Sequence, residues 1–121
     1  MSQKRILVIH LNEFNFNFLK KGANKYKCSN INKIFKYNKI KTYSVDKIQD
    51  KNLDPWVQSV SINTGIKSKN HKILNLGQQI PKKINQIWDI LSKKKINCAV
   101  WGAMNSSYVK NKNIKIFFPD P

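Results

Sequence analysis

Asp54, Pro55 and Gly65 mark both ends of one helix, and no other stretch constrains the chain so tightly. An aspartate can accept hydrogen bonds from the free N–H groups of a first helical turn. Proline has the fixed φ suited to the first helical position, and glycine can take the left-handed conformation just past the end. Between them, Trp56, Val57, Val60 and Thr64 recur at helical spacing, so one side of the helix is expected to be buried. Its amino end, with Asp54 first, then points at whatever lies in front of it.

The 121 residues, 40% of them hydrophobic, suffice for one modest core, and one domain over residues 1–121 is expected. A formal charge of +17 ordinarily indicates nucleic acid or an anionic membrane. The detail argues otherwise: 22 of the 23 basic residues are lysine and only Arg5 carries the planar guanidinium that base and phosphate readers favour. Sixteen asparagines and sixteen isoleucines accompany the lysines, and A/T-rich codons encode all three, so compositional drift accounts for the profile. The longest basic run, Lys93, Lys94 and Lys95, falls where a helix should end, and cations are favoured there. Weak, salt-dependent nucleic-acid binding without sequence preference is the expectation from charge alone.

Cys28 and Cys98 have neither metal-ligand spacing nor a close Cys or His partner, and read as small buried hydrophobes in a reducing compartment. Residues 6–11 are too short an apolar run for a signal peptide, and no window approaches a membrane span. A cytoplasmic protein without membrane partners is expected.

Along the chain, Ile6, Leu7, Val8, Ile9 and Leu11 form a nearly continuous apolar run, the pattern of a strand covered on both faces. Phe14, Phe18 and Leu19 then take helical spacing, with Gly22 as the stop. Ser29 is placed as the cap of a second short helix reaching toward Asn38. Residues 40–45 alternate as an exposed strand, residues 46–53 form a polar loop, and residues 66–81 read as an extended surface connection. Ile84, Ile87, Trp88 and Leu91 predict the clearest amphipathic helix, and residues 96–101 and 114–118 predict two more strands. Trp56, Trp88 and Trp101 are assigned to the core, and His10 to a packed strand position.

Alternating strands and helices imply an α/β fold, a mostly parallel sheet with helices on both faces. Ligands then sit beyond the carboxyl ends of the strands. Three polar turns converge on that edge: Asn12 with Glu13, the loop ending at Asp54, and Asn105 with Ser106 and Ser107. Glu13 is the single glutamate beside five aspartates. With Asp54 it could hold a hard divalent cation, which prefers oxygen ligands; equally, Asp54 could only cap its helix and Glu13 only pair with a lysine. His71 is expected to fix its loop by hydrogen bonds rather than to act in catalysis.

The ordered set from Ile6 through Glu13, Leu53 through Gln58, Asn63-Thr64-Gly65, His71, Ile87 through Ser92 and Trp101 through Asn105 resembles the amino-terminal part of alkaline-phosphatase-superfamily hydrolases, specifically members grouped with type I phosphodiesterases and nucleotide pyrophosphatases. The resemblance implies a metal-dependent hydrolase of phosphate or sulfate esters using zinc or a similar divalent metal. It also implies a first metal ligand at Asn12 or Glu13 and a nucleophile at the amino end of the helix that closes at Gly65. The nucleophile's place falls on Pro55, which has no nucleophilic group, leaving Asp54 as the neighbouring candidate for metal or chemistry. Such enzymes run well beyond this length. The expectation is therefore the amino-terminal portion of a longer hydrolase domain, with Glu13, Asn12 and Asp54 as its share of the metal site, inactive alone. The rival expectation is a small basic module that binds nucleic acid or another polyanion.

Overall fold

A computed structural model describes residues 5–12, 14–46 and 53–120, which group into two compact units divided after Thr42. The fold mixes helices with a small two-stranded parallel sheet.

In the first unit, α1 (Phe16–Lys25) starts at Asn15, whose side-chain oxygen accepts from the Phe18 N–H at 2.9 Å. Gly22 does not stop it. The helix runs on to Lys25 and closes when Lys27 takes a φ of 51°, letting the Cys28 N–H reach the Ala23 carbonyl at 2.9 Å. A lysine thus fills the left-handed position that glycine usually takes. The short α2 (Ser29–Ile34) is preceded by Cys28, not Ser29, at its cap position, and an edge-on contact of Phe16 with Phe35 joins the two helical segments at 5.1 Å. Residues 5–11 form neither strand nor helix and are exposed throughout, His10 included, as are residues 40–42. The expected first strand is absent because a strand exists only by pairing, and among the described residues of this unit its apolar run has no pairing partner.

The second unit contains α3 (Pro55–Thr64), α4 (Ser68–His71), α5 (Ile87–Lys93), β1 (Cys98–Ala103) and β2 (Ile114–Pro119). Residues 43–45, the rest of the predicted exposed strand, are likewise irregular. Helix α3 has the predicted ends, with Pro55 in its first turn and Gly65 at φ 70°. Residues 66–81 are not a surface strap: Ser68, His71, Ile73 and Ile80 are buried, and Ile73 and Ile80 pack on Val60 with Ile84 beside them. Ile84 therefore belongs to this cluster and not to α5, which starts only after Gln86. The Asp89 carboxylate accepts from the Gln86 N–H at 2.8 Å, closing the first turn of α5. At the other end Lys95 takes a φ of 61° and the Ile96 N–H reaches the Leu91 carbonyl at 3.0 Å, so the helix ends in the lysine run as expected.

β1 and β2 pair in parallel with Cys98 opposite Ile114 and Trp101 opposite Phe118, and Gly102 takes a φ of 62° at the register shift that follows Trp101. The inner face places Val100 and Ile114 against Trp88, whose ring meets Phe117 edge-on at 6.1 Å. Residues 104–113 link the strands without a helix. Trp101 is not core. It is 77% exposed and stacked on Phe118 at 4.7 Å, because alternation along β1 sends it to the face opposite Val100. Among the described residues of this unit, α5 packs on the pair, with Trp88 against the face that carries Val100 and Ile114.

These positions predict opposite costs for two tryptophans. Trp88→Ala should lower stability by about 3–5 kcal/mol, since it empties the inner cluster, whereas Trp101→Ser should cost about 1 kcal/mol or less, since only an exposed stack is lost. Urea unfolding should show a large midpoint shift for the first and a small one for the second. Equal shifts would contradict the assignment of the two faces.

Candidate functional site

The amino end of α3 is built by backbone, not by the Asp54 side chain. The Asp54 carbonyl accepts from the N–H groups of Val57 and Gln58, both at 3.0 Å, and Pro55 has no N–H to offer. The carboxylate makes no capping bond, correcting the expectation that it would. It is left half-buried at the helix tip. Asn12 is exposed in a turn of the first unit, and Glu13 lies outside the described residues.

Behind Asp54, the helix is fastened to the carboxyl end of β1. Ser59, 2% exposed, donates from Oγ to the Met104 carbonyl at 3.2 Å, and Asn63 Nδ2 donates to Ser59 Oγ at 3.3 Å. The next residue, Asn105, is buried and braces the loop after α4. Its Oδ1 accepts from the Gly77 N–H at 2.7 Å and its Nδ2 donates to the Asn75 carbonyl at 2.9 Å. Ser107 accepts the Ile80 N–H on its Oγ at 3.2 Å, while its backbone N–H and carbonyl pair with the Gln86 amide at 3.1 and 2.8 Å. The chain turns at Met104 and Asn105, within the polar segment expected to turn, while Gly102 and Ala103 still belong to β1, and these contacts hold the scaffold.

A second polar group lies along α3. Asp46 accepts from Ser68 Oγ and, at 3.0 Å, from Gln58 Nε2, and these bonds hold its carboxyl below the ordinary 3.8. His71 sits next to it, with Nδ1 accepting the Ile73 N–H at 2.9 Å and Nε2 lying 3.0 Å from Ser61 Oγ. Because Nδ1 must be bare to accept, the neutral ring carries its proton on Nε2 and donates it to Ser61. In that tautomer His71 cannot take a proton from Ser61, so the pair is a brace and not a nucleophile with its base. This agrees with the loop-fixing role expected of His71. Burial lowers its pKa below the ordinary 6.5, with the Asp46 charge acting in the opposite direction.

Asp46, Gln58, Ser61 and Ser68 were not among the predicted site residues. Their signal is weak in sequence: only the Ser44-to-Asp46 spacing, which forms a local turn through the Asp46 N–H to Ser44 Oγ bond at 3.1 Å, marks the spot. An open cleft of about 380 Å³ is lined by His71, Lys72, Ile73, Gln78, Lys83 and Ile84 among others, and Asp54 is not on its wall. Among the described residues, no group of three or more His, Cys, Asp or Glu side chains is placed to hold a metal, and no helix is long and apolar enough to cross a membrane. No family model, curated protein or solved structure matches the chain.

The His71 brace predicts a pH dependence. The folded chain keeps this ring neutral, so the unfolded state binds the extra proton once pH falls below 6.5, and stability declines from there down to the lower folded value. Asp46 works at more acid pH: its contribution is complete above 3.8 and is lost as pH falls through its lower folded value. Urea midpoints measured between about pH 7.5 and about pH 5.5 should fall for the wild type and flatten for His71→Gln. An unchanged slope in the variant would contradict the assignment.

Proposed function

We propose that this chain is the amino-terminal part of a metal-dependent hydrolase of phosphate or sulfate esters, and that it supplies one portion of an active site completed by other residues. The observation that carries this reading is the Ser59–Met104 bond, which fastens the front half of α3 to the turn leaving β1. In α/β folds that edge of the sheet is where ligands bind. Ahead of it stands Asp54, a half-buried carboxylate that the helix does not use. The amino end of a helix favours an anion, and a carboxylate oxygen favours a hard divalent cation, so the two suit an ester anion held beside a metal.

One carboxylate fits such a metal as a single ligand and is too little to hold it alone. No metal-dependent step is therefore assigned to this chain by itself. The parallel pairing of β1 with β2 under α5 supports this reading, since the sheet of the alkaline phosphatase superfamily that the sequence resembles is mostly parallel.

Polyanion binding is the second reading, and one feature favours it. Lys94 and Lys95 precede β1, Lys110 and Lys112 precede β2, and the parallel register sets these strand starts side by side.

Substoichiometric Mn²⁺ should selectively broaden the amide signals of Asp54, Trp56 and Val57, and Asp54→Asn should abolish the effect while leaving the spectrum otherwise folded. Hydrolysis of bis(p-nitrophenyl) phosphate by the chain alone should be undetectable. Broadening centred on Asp46 or Asp89 would remove Asp54 from the metal site, and metal-dependent turnover lost in Asp54→Asn would show the site to be complete.

A further inference from the structure

The outer face of the sheet is an apolar surface that the site leaves unused. Ala99, Trp101, Ile116 and Phe118 are all exposed on it, Trp101 by 77%, Phe118 by 57% and Ile116 by 54%. Register makes them one surface, since Ala99 pairs with Ile116 and Trp101 with Phe118. The opposite face buries Val100 and Ile114 under Trp88. A parallel sheet ordinarily has both faces covered, and contiguous apolar surface of this kind marks an interface.

Charge decides what fits there. Besides the four lysines at the strand starts, Lys115 projects from β2 and its ammonium reaches back 2.8 Å from the Lys112 carbonyl, adding to the same basic edge. A second copy would set one chain of +17 against another, and so is disfavoured. An apolar surface bordered at one end by lysines instead complements an apolar stripe with carboxylates beside one end. Six-residue strands span about 20 Å, the length of a helix of about 13 residues.

We propose that this face docks an acidic amphipathic helix, supplied by the polypeptide that completes the fold. The helix lays Leu- or Ile-type side chains at three- and four-residue spacing over Trp101, Ile116 and Phe118, and sets Asp or Glu side chains over the lysines at the strand starts. That the helix belongs to the remainder of a hydrolase rests on the reading above; the fit of face to helix rests on the exposed residues and their charge.

Isothermal titration of the whole chain tests this with a synthetic helix of about 18 residues bearing a leucine stripe and glutamates, and with its twin in which lysines replace the glutamates. The acidic peptide should bind at least about tenfold more tightly than the basic one, and Trp101→Ser should weaken it by about tenfold or more because an anchor of the apolar contact is gone. Lys94→Glu combined with Lys112→Glu should reverse the preference between peptides while leaving the apolar face intact. Equal binding of both peptides, no binding, or binding unaffected by Trp101→Ser would overturn the proposal. So would quenching of Trp101 fluorescence by an oligothymidylate that outcompetes the acidic peptide, or sedimentation showing a dimer through this face. Mn²⁺ broadening at Asp54, read on the same samples, reports separately on the hydrolase assignment, so either can fail without the other.

Discussion

The buried amide of Asn105 is the joint on which the second unit depends. It sits at a φ of 46°, in the left-handed region where asparagine is among the few side chains readily accommodated, and both ends of its amide are spent on the backbone of residues 75–77. An irregular loop can be brought into a core only if its backbone N–H and carbonyl groups find partners. Asn105, Ser107 and His71 provide them for Gly77, Ile80 and Ile73 respectively. With those groups satisfied, Ile73 and Ile80 can close over Val60. Among the described residues of this unit, buried polar side chains are as numerous as buried apolar ones, so directional bonds rather than apolar volume select the arrangement.

This explains which elements were legible in the sequence. The ends of α3 were, because Pro55 and Gly65 act through their own backbone restrictions and need no distant partner. The lysine-rich end of α5 was legible for a local reason too, whereas strand β2 was legible as an apolar run that found its pairing partner in β1. The buried course of residues 66–81 was not, since its partners at Asn105 and Ser107 lie some 27 or 28 positions away. Gly22 misled because glycine permits a helix stop without requiring one, while Lys27 and Lys95 took the left-handed positions. The apolar run at residues 6–11 specifies a surface to be covered, and no strand forms there without a pairing partner.

At the candidate site, the sequence located the helix tip and the turn after β1, but not the work each side chain does. Asp54 was expected to cap and does not; its carbonyl caps, and the carboxylate is left unused by the helix. Asp46, read only as the start of a polar loop, is a carboxylate that the fold engages, through Ser68 and Gln58. The contrast separates a structural acid from one available to a ligand. Ser59 and Asn105 fasten α3 and the loop to the same turn beyond β1.

Amide hydrogen exchange tests this dependence on the turn most directly. Although residues 73, 77 and 80 belong to no helix or strand, their N–H groups bond to His71, Asn105 and Ser107, so they should exchange as slowly as the amides of α3. Asn105→Ala should release Gly77 first and raise exchange at Ile73 and Ile80 with it. Rapid exchange at all three in the wild-type chain, or protection at Gly77 that survives Asn105→Ala, would contradict the account.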